Sequence, residues 1–324
     1  MVCSNLTSSM KIFDAHCYMC GCAEALRLLT VNRSSMVRCE RCAFQYLWPK
    51  PPRETALEMN LGKSAPHLPQ WNSIALRKMR SKVQEIVGGY PEAGFWGLCR
   101  TFIVSLLSPQ AVPFVYKGDG VVLDVGFGSA EMLDWLANHG WETWGLDFSE
   151  QGVAMAKAKG HQVYKGNIEG DGLDNVPRGR FDVIILSHVL EHLHDPIQAL
   201  KRLRLLLKPS GILIVSIPNL HSISSRRMGV YCKMLALSPP RHLNYFSPVT
   251  LTSVLERAGL KVIFKSGKDA VGTLLGGLKK MKQEKGPIEM IRTLGFTLIQ
   301  WMNPNRRLAD YDILTFHAQQ KSIK

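Results

Sequence analysis

The sequence predicts an α/β protein built on a doubly wound, mostly parallel sheet and preceded by a small metal-bound ribbon. Three observations carry that prediction. From Asp119 onward short β runs alternate with helical stretches, the pattern of parallel strands joined by crossover helices. The first of these runs, Val121 to Val125, breaks into the glycine-rich turn Gly126-Phe127-Gly128-Ser129-Ala130, and the next apolar run ends on Asp147. A glycine turn brings backbone against a ligand, and an acid about 20 residues later accepts from ribose hydroxyls, so the pair marks a nucleotide-type cofactor site. Near the amino terminus stand Cys17-Tyr18-Met19-Cys20 and Cys39-Glu40-Arg41-Cys42, two Cys-x-x-Cys pairs 18 residues apart.

In chain order, the ribbon is expected over 1–52. Two-residue spacing lets both thiolates of a tight turn face one ion, and two such turns supply the four sulfurs of a closed, structural zinc site at Cys17, Cys20, Cys39 and Cys42. A redox dithiol, or a ligand exchange with neighbouring His16 or Cys22, stays open. In a small lobe without a core of its own, from a reducing compartment, metal is favoured over disulfide. Trp48-Pro49-Lys50-Pro51-Pro52 is a stiff stop and reads as the boundary. Residues 53–118 read as a basic, mostly helical linker or cap, and 119–324 as the α/β domain. Its strands are expected at Val121–Val125, Thr143–Leu146, Gln162–Lys165, Phe181–Leu186 and Gly211–Ile217, with a helix from Pro196 to about Leu207. The run from Asp312 to Ala318 reads as a last strand returning to the sheet, which makes 272–304 a helical insertion before it. In open sheets ligands lie beyond the carboxyl ends of the strands, which gathers Gly126, Asp147, Asn167 and the segment Ser187 to His194 around one crevice.

Composition narrows the class without naming a function. The 46% hydrophobic content is that of an ordinary globular protein. No apolar stretch reaches the roughly 18–20 residues of a membrane span, and residues 1–10 lack a signal-peptide core, so the cytoplasm is the expected location. The net charge of +14 is uneven: Lys+Arg exceed Asp+Glu by 7 in residues 1–118 and by 7 in 261–324, and balance in 119–260. Basic flanks around a neutral middle point to an anionic partner such as phospholipid, a lipid-linked or sugar-nucleotide phosphate, or nucleic acid; a plain solvated basic surface is the bland alternative.

The ordered set Asp124-Val125-Gly126-Phe127-Gly128, Gly145-Leu146-Asp147, Gly166-Asn167-Ile168-Glu169, Phe181-Asp182-Val183-Ile184 and Ser187-His188-Val189-Leu190-Glu191-His192 resembles class I S-adenosylmethionine-dependent methyltransferases. Arg241-His242-Leu243-Asn244-Tyr245-Phe246-Ser247-Pro248 resembles their later part. The subgroup it most resembles joins a four-cysteine ribbon to the methyltransferase domain, and many bacterial members occur with polysaccharide and glycolipid synthesis. The resemblance implies a Rossmann-like, seven-stranded, mostly parallel sheet and S-adenosylmethionine as cofactor. It implies that Gly126 and Gly128 leave room for the methionine portion, Asp124 lies near its amino group, and Asp147 binds both ribose hydroxyls. Phe148 would pack on the adenine, with Asn167 and the Ile168 amide at its edge and Ser187 at the end of the fourth strand. Ala130 departs from a common third glycine and Asn167 from a more frequent Asp. A dinucleotide dehydrogenase, the rival for the glycine turn, does not account for the His-Val-Leu-Glu-His segment.

Methyl transfer from a sulfonium needs mainly positioning, and a base only when the acceptor still holds its proton. His188 and His242 are expected to line the transfer site, with Glu191 and His192 beside them. His188-x-x-Glu191-His192 followed by His242 is also similar to the Glu-x-x-Glu-His metal set of small-RNA 2′-O-methyltransferases and some ubiquinone-pathway O-methyltransferases. A catalytic divalent metal therefore stays open, with His188 in place of the first glutamate; the alternative is that Glu191 is a structural acceptor. Arg226 and Arg227, in the stretch after the fifth strand, read either as a phosphate or carboxylate clamp or as a wet loop. Leu274, Leu275, Leu278 and Met281, beside Lys279, Lys280, Lys282 and Lys285, make one helical apolar stripe and Ile288, Ile291, Leu294, Leu298 and Trp301 a second after Pro287, read as a cap packed on the body or a second subunit, or as peripheral contact with an anionic membrane. The leading function is methyl transfer to a hydroxyl of a sugar, glycolipid or other small-molecule acceptor. An RNA methyltransferase, or a non-catalytic scaffold on the same fold, are the alternatives.

Overall fold

The computed structural model describes residues 11–61 apart from 13 and 32, 120–222, 240–268, 278–301 apart from 279, 280 and 284, and 307–321. The expected helices of 62–118, the loop holding Arg226 and Arg227, and the side chains of Leu298 and Trp301 lie outside the described residues.

Seven strands form the main sheet: β5 (Val121–Val125), β6 (Glu142–Asp147), β7 (Gln162–Lys165), β8 (Phe181–Ser187), β9 (Leu207–Pro218), β11 (Leu260–Lys268) and β12 (Ile313–Gln320). Their order is β11-β12-β9-β8-β5-β6-β7. The pairs β5·β6, β6·β7, β5·β8 and β8·β9 are parallel, and β12 runs antiparallel to both neighbours. This is the doubly wound, seven-stranded arrangement expected from the sequence. The central strands are unbroken apolar runs because both faces are covered: Val183 to Leu186 are all buried.

The helices begin where local chemistry starts them. In α3 (Glu150–Ala158) the Ser149 hydroxyl accepts from the Gly152 amide at 3.1 Å, and in α4 (Pro196–Arg204) Asp195 caps the Gln198 amide with Pro196 in the first turn. In α5 (Pro248–Arg257) Ser247 and Thr250 form a reciprocal capping box. By contrast α2 (Glu131–Ala137) starts at Ala130, which sits at φ 58 with no side-chain cap. The missing third glycine thus stands at a left-handed position that glycine occupies without strain.

The amino-terminal lobe is a second sheet of β1 (Lys11–Ile12), β2 (Ala25–Val31), β3 (Ser34–Cys39), β4 (Gln45–Trp48) and, from 200 residues further along the chain, β10 (Asn244–Tyr245). Tyr46 pairs with Asn244 and Gln45 with Tyr245. The lobe is therefore neither coreless nor separate. Phe44 and Tyr46 are fully buried, and Phe44 packs on Phe246 with ring centroids 5.6 Å apart. The buried side chains of the lobe and of the main sheet form one continuous cluster. Pro49 to Pro52 turns the chain from β4 into α1 (Arg53–Leu61) without opening a gap between two bodies.

Leu278 and Met281 of the first stripe are buried, as packing requires, whereas the carboxyl-terminal helix α6 (Pro287–Trp301) departs from the packed-stripe reading. Thr293 and Thr297 are buried, whereas Ile288 and Ile291 are 66% and 62% exposed. Among the described residues no helix is long and apolar enough to cross a membrane.

Candidate functional site

Strand order reverses between β5 and β8, so their carboxyl-terminal loops part there and leave a crevice. A cleft of about 480 Å³ lies at this point, lined by Gly126 and Gly128, by Asp147 and Phe148, by Gly166 to Glu169, and by His188 and Val189. Gly126 is held at φ +75 and its amide donates to the Leu146 carbonyl at 2.7 Å; a Cβ there would meet Val189 Cγ2 at 2.6 Å. The turn thus stays flat against the β8 loop, with backbone facing the cleft.

Asp147 is buried at the tip of β6. One carboxylate oxygen accepts from the Gly128 amide at 2.9 Å and the other from the Ser149 amide at 2.8 Å. Those bonds fix the carboxylate and leave each oxygen able to accept once more, which fits two vicinal hydroxyls. Asp124, expected at the cleft, lies on β5, buried, without a hydrogen-bond partner among the described residues, and is not among the lining residues. Burial, and then the nearby Asp147 charge, raise its carboxyl to about 7. A cationic group beside it would remove that penalty, so the site fits an α-ammonium. Phe148, Asn167 and Ile168 line the same cleft; the Asn167 Oδ1 accepts from the Glu169 amide at 2.9 Å, which holds the loop after β7. Ser187, expected here, ends β8 in register with Ser216 and is not among the lining residues.

His188 follows β8 directly, its amide donating to the Ser216 carbonyl, and it adopts φ 57. A left-handed histidine is costly and persists where the surroundings enforce it, often at functional sites. Its Nδ1 is 3.3 Å from Oε1 of Glu191, which lies in the short 3-10 turn Leu190–His192. Glu191 is buried. Burial alone would raise its carboxyl, but the hydrogen bond to His188 and the neighbouring His192 and His242 bring it down to about 2. His192 also lines the cleft; its Nδ1 is 2.9 Å from the Arg241 carbonyl, and burial lowers its pKa. The structure corrects the expectation for His242: it is buried behind the cleft, edge-on to His192 with ring centroids 4.9 Å apart, and lines no part of it. Glu191, His192 and His242 do bring one donor atom each within 4.8 Å of the others, and Glu191 Oε2 is buried without a partner. That trio has the donor chemistry for a divalent cation, and His188 is outside it.

At the ribbon the four cysteine Sγ atoms lie within 4.8 Å of one another, with Cys17 to Cys42 at 3.6 Å and Cys20 to Cys39 at 3.5 Å. Sulfurs at tetrahedral corners about 2.3 Å from an ion stand roughly 3.8 Å apart, so the spacing fits zinc. His16 and Cys22 are outside the cluster. The turns that set it are tight: the Gly21 amide donates to the Cys17 carbonyl at 2.7 Å and the Ala43 amide to the Cys39 carbonyl at 3.0 Å.

Several site residues escaped the sequence reading. Arg53, Ala56, Leu57 and Asn60 of α1 form a wall of the cleft, facing Arg241. Glu169 accepts from the His194 and Asp195 amides at 3.0 and 2.7 Å, fixing the turn that carries His192. Lys50 is half-buried, and desolvation lowers its ammonium to about 8; Nζ donates to the His194 carbonyl at 2.6 Å and to Asn244 Oδ1 at 3.2 Å. Asn244 in turn accepts from Tyr18 at 2.9 Å and donates to the Leu193 carbonyl at 2.6 Å. Ribbon, β10 and the catalytic-side turn are thereby tied together. An inverted signal, a lysine between prolines in a low-polarity stretch, was the one hint of this in the sequence.

Comparison with known proteins agrees with this geometry. A family model described as a methyltransferase domain matches residues 99–264. The ubiquinone biosynthesis O-methyltransferase of Colwellia psychrerythraea is 29% identical over 160 residues, 46% of this chain and 64% of that protein. A probable S-adenosylmethionine-dependent methyltransferase of Mycolicibacterium smegmatis is 30% identical over 170 residues, 51% of this chain and 60% of that protein. The chain thus spans about three fifths of the length of these curated relatives. Among solved structures, the 1,6-didemethyltoxoflavin-N1-methyltransferase of Burkholderia thailandensis aligns with a TM-score of 0.47 at 13% identity, covering 91% of this chain and 99% of that one. With the family model spanning half the sequence, from before the glycine turn to β11, the chain belongs to the methyltransferase-domain family.

Proposed function

We propose that the protein transfers a methyl group from S-adenosylmethionine to a hydroxyl of a sugar, glycolipid or other small acceptor, with His188 as the general base. The observation that carries this reading is the His188–Glu191 pair at the wall of the cleft that Asp147 and the glycine turn define. When bound, the sulfonium supplies an activated methyl: the acceptor oxygen forms a bond to that carbon as the carbon–sulfur bond breaks, sulfur keeping the electron pair. Asp147, fixed by two backbone amides, orients the ribose, and Asp124 meets the ammonium. Glu191 holds the His188 ring through Nδ1, so that Nε2 is the nitrogen left to take the acceptor's proton. The ring's left-handed backbone aims it away from β8 and into the cleft. Four thiolates at Cys17, Cys20, Cys39 and Cys42 would hold a structural zinc ion that fixes the ribbon, whose edge strand carries the 241–246 segment.

A lipid-linked acceptor is supported by α6, which turns Ile288 and Ile291 outward close to the exposed Lys282 and Lys285. A second reading adds a divalent cation at Glu191, His192 and His242, favoured by the partnerless Glu191 Oε2; it would polarise the acceptor hydroxyl. One assay tests these together: release of S-adenosylhomocysteine in the presence of free sugars, sugar phosphates, glycolipid in anionic vesicles, and RNA. Turnover is expected with a hydroxyl-bearing sugar or glycolipid and unchanged by brief EDTA treatment. Loss on EDTA restored by Mg²⁺ or Mn²⁺ would select the metal reading, and turnover confined to RNA would overturn the small-acceptor proposal.

A further inference from the structure

The cleft contains charges of both signs, and only the negative ones are matched. Asp147 accepts from two backbone amides, and Glu169 accepts from two more. The cations are Arg53 and Arg241. Among the described residues the Arg53 side chain has no hydrogen bond or ion pair, and Arg241 has a single long contact, Nε to Asn60 Oδ1 at 3.4 Å. Among the described residues no carboxylate is within ion-pair distance of either.

Arg241 is not on a loose loop. Its carbonyl meets Nδ1 of His192 at 2.9 Å; two residues on, the Leu243 amide donates to the Glu191 carbonyl at 2.8 Å, and the Leu243 carbonyl accepts from the Leu47 amide at 2.9 Å. The segment is zipped to the Leu190–His192 turn on one side and to ribbon strand β4 on the other. A half-buried guanidinium with four N–H groups unmatched, fixed beside the base, is arranged to take a planar or tetrahedral anion through a two-pronged contact. In the donor reading the ribose hydroxyls are assigned to Asp147, a separate residue of the same cleft.

We infer that Arg241, with Arg53 as the second cation of the cleft, binds an anionic group of the methyl acceptor, a carboxylate or a phosphate near the hydroxyl to be methylated. This rests on the methyl-donor reading above and sharpens its acceptor from a neutral sugar to an acidic or phosphorylated one. Two other sources of anion chemistry compete. One is the carboxylate of the donor itself. The other is a basic groove at the far end of α4 and α5, where Lys201, Arg204 and Arg257 converge and Arg204 Nε is buried without a partner.

The test uses the full chain saturated with S-adenosylhomocysteine and titrated calorimetrically with benzoate, inorganic phosphate and pyrophosphate. At least one anion is expected to bind the wild type; benzoate alone marks a carboxylate acceptor, and the phosphates alone a phosphorylated one. Arg241→Gln is expected to weaken that anion about tenfold or more while S-adenosylhomocysteine affinity stays within about twofold, because one charge-assisted, forked contact is lost and the donor site is untouched. Arg241→Lys should recover part of the loss. The inference is overturned if wild-type protein that binds S-adenosylhomocysteine takes up none of the anions, or if Arg241→Gln leaves the anion in place. It is equally overturned if Arg241→Gln weakens S-adenosylhomocysteine instead, or if the anion is lost only in Arg204→Gln/Arg257→Gln. A wild type that does not bind S-adenosylhomocysteine overturns the donor reading, a result separate from these.

Discussion

Replacing Cys39 and Cys42 together by serine is expected to abolish zinc binding and, with it, methyl transfer, although neither residue approaches the cleft. Burial pushes the Cys17 thiol far up and the Cys42 thiol up to about 11, so these two keep their protons unless a cation replaces them; burial alone would raise Cys20 as well, but hydrogen bonds from the Cys22 backbone and the neighbouring cysteines bring it below its ordinary value. An ion that binds only the folded ribbon contributes its binding free energy to folding. The loss then travels along the contacts that tie the ribbon in. β4 holds β10, and Tyr18 and Lys50 hold Asn244, whose amide group caps the Leu193 carbonyl at the end of the turn carrying His192. A loss of several kcal/mol corresponds to a fall in Tm of about 10 °C or more, at about 2–4 °C per kcal/mol for a domain of this size. Zinc analysis should fall from about one ion per chain to none, thermal unfolding should move down, and turnover should vanish. Wild-type protein that is folded and free of zinc would refute the structural role.

His188→Ala is expected to lower kcat by about 10²–10⁴ for a hydroxyl acceptor while leaving the affinity for S-adenosylhomocysteine unchanged. The imidazole stands at the cleft wall and is held by a buried carboxylate, and neither its ring nor Glu191 is needed to hold Asp147 or the glycine turn. Alanine keeps the same left-handed backbone cost, so stability should change little. Glu191→Gln should give a smaller fall, because the amide still reaches His188 but no longer offsets the charge the ring gains with the proton. Steady-state turnover and calorimetry on the same samples check both. A His188→Ala enzyme with full kcat would remove it from the chemistry.

The parts of the site that sequence made legible are those written in adjacent residues. The glycine turn, the acid ending β6, the cysteine pairs and the His188 to His192 segment are each set by local backbone chemistry. Six of the seven strands of the main sheet were legible as short β runs alternating with helical stretches, whereas β11 was not. What was not legible depends on pairings across long stretches of chain. β10 is two residues long, and nothing in Asn244-Tyr245 announces that it completes a sheet begun at Lys11. Lys50 reads as part of a proline-rich stop, yet its ammonium bridges the His194 carbonyl and Asn244. Arg53 and Asn60 sit on a helix with no strong pattern, and become part of the cleft only because the ribbon sets the direction of α1. His242 was misplaced because a motif fixes neighbours along the chain and not which side of a loop faces the ligand; Tyr245, whose hydroxyl donates to the His242 carbonyl at 2.9 Å, helps hold that loop. In α6 the apolar spacing was real, but two buried threonines take the inner face.

The donor cleft over β5 and β6 is the claim on which the rest depends, and calorimetric titration of S-adenosylhomocysteine into the wild type and Asp147→Ala tests it most directly. The account predicts one site per chain in the wild type and a loss of roughly 100-fold or more in affinity without Asp147, since two charge-assisted hydrogen bonds to the ribose disappear. No binding by folded wild type, or equal binding by both proteins, would contradict it.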